Sequence, residues 1–172
     1  MLKKIVYLCL LLPALARTQT IIPEEIAVAS GNSQVLTLHA KGEQIYQCTI
    51  QQGVYSWQWQ APKAQLFDAK GHLVGSHAAG PEWIYQDGSR VSGKMIKKVE
   101  IAPDSTIAWL LLEATQHHGN GVFANISFIQ RVKTRGGLPP VTGCDSNHLG
   151  TEKPVAYSSD YIFYSGNHNH AE

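Results

Sequence analysis

The 172-residue sequence has almost no net charge, since 14 lysines and arginines stand against 13 aspartates and glutamates. Proteins that bind nucleic acid or anionic lipid by surface charge need an extended basic field, which this balance excludes. A mild cluster at Arg131, Lys133 and Arg135 is typical of a solvated strand edge. We therefore expect no nucleic-acid partner.

Long apolar runs are also missing, and none approaches the roughly 20 residues that a membrane-spanning helix needs. At the N-terminus, Lys3 and Lys4 precede an apolar stretch over 5–12, and the small-x-small sequence Ala14-Leu15-Ala16 follows. This order is typical of a cleaved signal peptide. We predict a signal peptide at 1–16, no membrane span, and a secreted or periplasmic location.

Cysteine is scarce: the chain has 3, and Cys9 lies inside the predicted signal peptide. Two cysteines left in an exported domain usually pair. We predict a disulfide between Cys48 and Cys144 that holds a Gly/Pro-rich loop at 134–154 against the first main strand. The alternative is a pair of free thiols in a catalytic or metal site.

Helical periodicity is weak, and strand patterns dominate from Val35 onward. Alternating segments cover 43–50, 54–60, 95–102 and 122–133, and Asp87-Gly88 is a strong hairpin signal. The apolar segment 107–114 suits a helix, but its length and neighbours favour a buried strand. After a lead-in segment at 17–34, these patterns predict one all-β domain at 35–164, an antiparallel sandwich or barrel. A polar, disordered tail is expected at 165–172.

The alternation also predicts where strands end and which way side chains point. Pro62 is expected to end the strand that carries Tyr55, Trp57 and Trp59. In the segment 122–133, Phe128 and Val132 fall on the predicted apolar face, and Arg131 falls on the polar face.

Familiar catalytic motifs are absent. The eight histidines show no recognised zinc spacing, and neither a nucleophile elbow nor a phosphate loop is present. The sequence 119–124 matches the dinucleotide string G-x-G-x-x-A, but a strand pattern follows it, which indicates a glycine hairpin. His168 and His170 suit loose Cu²⁺ or Ni²⁺ binding, although a solvated tail is the favoured interpretation. We expect no metal and no cofactor.

The segment 75–89 has the most unusual composition of the chain, because it combines histidine, tryptophan, aspartate and glycines. In a pocket, His77 would act as acid or base, Asp87 would orient it, and Trp83 would form a platform. The alternative is a hairpin with its tryptophan in the core and its aspartate in the turn. We predict that His77, Trp83 and Asp87 surround one concavity with Arg131, which supplies fixed positive charge.

Two functions remain open at this stage. The first is a binding or structural module of the cell envelope or exterior, in contact with a glycan or another envelope component. Aromatic side chains for such contacts are Trp57, Trp59, Tyr157, Tyr161 and Tyr164, most of which also suit a core. The alternative is a secreted hydrolytic or metal-dependent enzyme centred on His77 and Asp87.

A series of short sequences in order makes the chain similar to a known family. They include Gly42-Glu43-Gln44-Ile45-Tyr46-Gln47-Cys48, Leu66-Phe67-Asp68, the run from Gly75 to Trp83, Asp87-Gly88-Ser89, Trp109-Leu110-Leu111-Leu112, Gln130-Arg131-Val132 and Gly143-Cys144. Over roughly residues 35–164 the chain resembles the family known as domain of unknown function 3455, uncharacterised secreted proteins of bacteria and fungi. The resemblance implies export and brings no established activity and no catalytic residue.

Overall fold

The computed structural model describes residues 20–166, so the predicted signal peptide at 1–16 and the tail beyond Gly166 lie outside the described residues. After a 3-10 turn at Glu24–Ile26, the described chain forms eight strands. They are β1 (Asn32–Gln51), β2 (Val54–Phe67), β3 (Leu73–Ala78), β4 (Glu82–Tyr85), β5 (Arg90–Val99), β6 (Trp109–His118), β7 (Ile126–Gly136) and β8 (Glu152–Gly166).

The strands form one antiparallel sheet that closes on itself. Each strand pairs with the next in sequence, and β1 pairs with β8. The predicted all-β antiparallel fold is confirmed, and of the two architectures left open, the chain adopts the barrel. Among residues 20–166, closure gives every strand two neighbouring strands, although part of β2 is paired on one side only. Within residues 20–166, no helix has the length and apolar character needed to cross a membrane.

Local sequence explains the hairpins and the most apolar strand. Gly71 and Gly88 have φ values of 84° and 85°, in the left-handed region that glycine enters at little cost. The apolar run of β6 is a strand rather than a helix because both of its faces are covered. Leu112 packs inside the barrel, whereas Leu111 packs outside against Ile26.

Strands β2 and β8 are longer than the sequence predicts. β2 continues through Pro62, which pairs with Gln44 of β1, so the expectation that Pro62 ends this strand is wrong. Pairing of β2 with β3 begins only at Ala64, so Pro62 has a paired neighbour on one side and its missing N–H costs little. β8 includes Ser165 and Gly166, which the sequence analysis assigned to the tail, because Ser165 pairs with Ser33.

The faces of β7 differ from the predicted ones. Phe128 and Val132 lie outside the barrel in a second apolar cluster with Ile26, while Ile129 lies in the interior core. The register shifts between Ile126 and Phe128, which is the signature of a bulge and reverses the side-chain alternation. Arg131, expected on a solvated face, consequently lies inside the barrel.

Because successive strands run in opposite directions, their connections collect at two ends of the barrel. We call the end formed by the connections 68–72, 86–89 and 119–125 the closed end. The opposite end, which we call the open end, is formed by the connections 79–81, 100–108 and 137–151. At the open end, a disulfide joins Cys48 of β1 to Cys144, across a sequence separation of 96. The predicted pairing is confirmed, and it attaches the connection 137–151 to β1.

Candidate functional site: a cavity at the open end of the barrel

A cavity of about 470 Å³ occupies the barrel interior towards the open end. Every strand contributes to its wall, and the lining is mainly aromatic and aliphatic. Taking one lining residue from each strand, β1 to β8 contribute, in that order, Gln44, Trp59, His77, Trp83, Met95, Leu112, Arg131 and Tyr161. Pro81, Ala108 and Leu138 add lining from the open-end connections. The size and mixed lining are those of small-molecule sites in proteins.

Three rings of the cavity wall contact one another and form a set that we call the aromatic floor: His77, Trp83 and Tyr161. His77 of β3 lies directly opposite Trp83 of β4, and their rings stack with centroids 4.4 Å apart and an interplanar angle of 11°. The ring of Tyr161 meets those of His77 and Trp83 edge-on, with centroid distances of 4.9 Å and 5.3 Å. All three are buried, so the floor is a rigid, pre-formed surface.

Within that floor, His77 is held in its neutral form. Its Nδ1 lies 2.9 Å from the carbonyl oxygen of Glu82, and because a carbonyl only accepts, Nδ1 is the nitrogen that carries the proton. Burial lowers the pKa of His77 to about 3; the bond to Glu82 opposes the shift, and the charge of Arg131 adds to it. Among the described residues, Nε2 has no hydrogen-bond partner, so it offers a lone pair.

Arg131 brings a fixed positive charge into the barrel. Its Nε and one Nη atom donate to the carbonyl oxygen of Ala108 at 3.2 and 2.9 Å, which joins β7 to the connection 100–108. Among residues 20–166, no carboxylate lies within ion-pair distance of the guanidinium. Burial raises the pKa of the hydroxyls of Tyr46 and Tyr157, and the charge of Arg131 opposes both shifts.

Two buried polar atoms of cavity-lining residues have no partner in the described part of the chain. They are Nε2 of Gln44, a residue only 2% exposed, and Nε1 of Trp83. The oxygen of the Gln44 amide is used, since it accepts a hydrogen bond from Trp59 Nε1. Buried donors in native proteins are almost always satisfied, so each such atom calls for water or a ligand.

The comparison with known proteins places this barrel in a family. The family described as "Protein of unknown function (DUF3455)" matches residues 29–165, which is most of the chain and nearly all of the barrel. The chain belongs to the DUF3455 family. No curated protein and no solved structure matches it. The family brings no activity with it, and functional argument for this DUF3455 barrel therefore rests on the cavity.

The DUF3455 barrel brings three of the four predicted site residues to one cavity and leaves the fourth elsewhere. His77, Trp83 and Arg131 line the cavity, but Asp87 does not. Asp87 follows β4 into the connection 86–89 at the closed end, whereas Trp83 lies near the open end of the same strand. In the described chain, no hydrogen bond joins Asp87 to His77. The carbonyl oxygen of Glu82, and not Asp87, accepts the hydrogen bond from His77 Nδ1.

At the closed end, Asp87 joins two connections. Its Oδ1 accepts hydrogen bonds from the backbone N–H and the hydroxyl of Ser89, at 2.8 and 2.6 Å. Its Oδ2 accepts from the backbone N–H of Val122 at 2.8 Å. A Cβ on Gly121 would lie 2.1 Å from the carboxylate, so glycine is required there by close approach. The G-x-G-x-x-A string thus forms a turn that closes the barrel.

Most aromatic residues considered for glycan contact are already engaged. Tyr157 and Tyr161 are buried in the core, and Tyr164 donates a hydrogen bond to Gln130. Trp57 donates from Nε1 to the carbonyl oxygen of Thr142 in the connection 137–151. Trp59, 48% exposed at the cavity, is the member of the set that is open to a ligand.

Two cavity residues, Gln44 and Tyr46, are not among the site residues predicted from the sequence, and Tyr161 was expected in a surface contact or in the core rather than in a cavity. Gln44 and Tyr46 share with Cys48 a spacing of two along β1, and this period was the signal available. In residues 20–166 no cluster of histidine, cysteine, aspartate or glutamate is arranged to hold a metal ion. His168 and His170 lie outside the described residues.

Proposed function

We propose that this protein is an exported binding protein that holds one small, largely apolar molecule inside its barrel. The observation that carries the proposal is the cavity of about 470 Å³, lined from every strand and edged by buried donors without partners. Eight-stranded barrels have interiors just wide enough to be filled by side chains or to hold one small ligand. Here side chains fill the closed end, and space remains at the open end.

The chemistry of the cavity favours binding over hydrolysis. General acid–base catalysis at neutral pH works best with a group whose pKa lies near the working pH. The pKa of His77, about 3, is far below that range, and a backbone carbonyl rather than a carboxylate orients its ring. Within residues 20–166, the one carboxylate that lines the cavity is that of Glu100, whose Oε1 lies 3.4 Å from Lys98 Nζ in a solvent-exposed pair.

Export is the second part of the proposal. The Cys48–Cys144 disulfide supports it, because disulfides persist in oxidising compartments and are rare in reducing ones. The N-terminal sequence supports it independently. Expressed in a bacterium from its full gene, the protein should be recovered outside the cytoplasm with Arg17 as its first residue by intact mass. An uncleaved chain confined to the cytoplasm would contradict export.

Binding can be tested with phenylnaphthylamine, an uncharged aromatic probe whose fluorescence rises in apolar surroundings. We expect saturable, single-site binding to the wild-type protein. Leu110→Trp should abolish it, because Leu110 lines the cavity and a larger ring would fill the space. Leu73→Trp is the matched control, since Leu73 is 54% exposed and is not a lining residue. Binding that is absent, or that is equal in both variants, would rule out the cavity as the site.

A further inference from the structure

The charge of Arg131 is not balanced within the cavity. Its hydrogen-bond acceptor, the Ala108 carbonyl, is neutral, and no described carboxylate is within ion-pair distance of it. Lys98 and Glu100, the other charged lining residues, pair with each other and are exposed. The lining as a whole therefore carries one excess positive charge. This charge, on Arg131, lies among apolar groups. A charge placed in such surroundings is costly unless a partner compensates it.

The guanidinium also has unused donors. Arginine has five N–H groups in a planar fork, and two of them are engaged by Ala108. The geometry of the remaining donors suits the two oxygens of a carboxylate or the oxygens of a sulfonate. The anchoring through Ala108 fixes the side chain before a ligand arrives, which lowers the entropic cost of binding.

Other polar groups of the cavity lining bear on the choice of ligand. Gln44 Nε2 and Trp83 Nε1 are donors without partners, so they seek acceptor atoms rather than donors. Tyr46 donates its hydroxyl proton to the carbonyl oxygen of Gly137, at 2.6 Å. His77 is neutral and adds no charge of its own. The unpaired donors and the single unbalanced charge therefore favour an electron-rich oxygen group, whereas the lone pair of His77 Nε2 does not contribute to binding it.

We propose that the ligand is a compact aromatic or aliphatic acid, whose anionic group is bound by Arg131 while its apolar body lies against the aromatic floor. This inference rests on the proposed function, because it names the class of molecule that the cavity holds. The rings of the aromatic floor line the cavity together with Leu110 and Leu112, so the apolar body of the ligand would meet an aromatic and aliphatic wall.

The test uses two probes that share the same rings. Anilinonaphthalene sulfonate carries an anionic group, and phenylnaphthylamine lacks it. We expect the wild-type protein to bind the sulfonate about tenfold or more tightly than the uncharged probe, as a charge-assisted pair should provide. Arg131→Gln should remove this preference, and the ratio of the two affinities in each protein, rather than either affinity alone, is the quantity compared.

Arg135→Gln is the matched control, because it removes the same charge from an exposed position of the same strand. It should leave the preference intact. A preference unchanged in Arg131→Gln, or lost equally in Arg135→Gln, would overturn the inference while the binding function stands. Failure of both probes to bind at a single site would instead overturn the proposed function.

A second measurement needs no variant and covers the case in which Arg131→Gln does not fold. Naphthoate and naphthamide have nearly the same shape and differ in charge. Naphthoate should displace phenylnaphthylamine from the wild-type protein at about tenfold lower concentration than naphthamide. Equal displacement would contradict a role of Arg131 in binding an anion.

Discussion

The two ends of the barrel are built from the same strands but differ in how completely their groups are paired. At the closed end, Phe123 is fully buried with its ring 4.6 Å from that of Phe163, and the carboxylate of Asp87 accepts hydrogen bonds from three donors. At the open end, the guanidinium of Arg131 has no ionic partner, and Gln44 Nε2 has no hydrogen-bond partner in the described chain.

This difference separates residues that stabilise the fold from residues that are available to a ligand. A polar network whose members are all satisfied fixes one conformation, whereas a partly satisfied one in a buried site leaves interaction energy unused. Asp87 and Arg131 looked equally suited to a site in the sequence. Arg131 has donors without partners at the cavity, whereas both carboxylate oxygens of Asp87 accept hydrogen bonds at the closed end.

The largest contrast is expected from removing the ring that fills the closed end. Phe123→Ala should lower the free energy of unfolding by about 3–5 kcal/mol, the usual cost of a large buried ring. Met95→Ala at the cavity should cost less than about 1 kcal/mol, because a half-exposed side chain loses little burial. Urea unfolding followed by circular dichroism measures both. A similar cost at the two positions would show that the open end is packed as tightly as the closed end.

The disulfide should have the next largest effect, and it acts at the open end. Replacing Cys48 and Cys144 together by alanine should lower the free energy of unfolding by about 2–4 kcal/mol. It should also weaken phenylnaphthylamine binding, since the released connection 137–151 carries Leu138, a cavity-lining residue. Calorimetric melting and probe titration give the two values. Unchanged binding would mean that this connection does not shape the cavity.

Acid should weaken the protein through His77. Its pKa is 6.5 when unfolded and about 3 when folded, so the unfolded state takes up the proton first. The contribution of neutral His77 to the free energy of unfolding is complete above pH 6.5 and is lost progressively as the pH falls towards 3. At pH 5 the loss is about 2 kcal/mol. Urea unfolding at pH 7 and pH 5 should show this loss. His77→Phe keeps a ring against Trp83, and it should remove the part of the pH dependence of the unfolding free energy that His77 contributes. An equal slope in the variant would contradict the assignment.

A smaller loss of stability than at Phe123 is expected from Asp87→Asn. The amide keeps one acceptor oxygen and loses the charge, so stability should fall by about 1–2 kcal/mol. Probe binding should not change, because Asp87 is absent from the cavity wall. Melting temperature and phenylnaphthylamine affinity report on the two properties separately. A loss of affinity at full stability would place Asp87 in the binding site after all.

Three features could be predicted from the sequence: the alternating strands, the hairpins at Gly71 and Gly88, and the Cys48–Cys144 disulfide. The strands and hairpins depend on residues close in sequence, and each of the two cysteines had one available partner. Period-two alternation and glycine at positive φ are local properties of the backbone. The candidates His77, Trp83 and Arg131 could likewise be selected by residue type, and the structure brings these three to one cavity.

Only the tertiary structure decided between sandwich and barrel, since that depends on the pairing of β1 with β8 across the length of the chain. It also decided which way Arg131 points. A register shift in β7 and the cover that Ile26 provides on the outer face reverse the faces that simple alternation predicts. Asp87 lies away from the cavity for a related reason: it is four residues beyond Trp83, in the connection at the far end of a short strand, and a strand advances about 3.3 Å per residue.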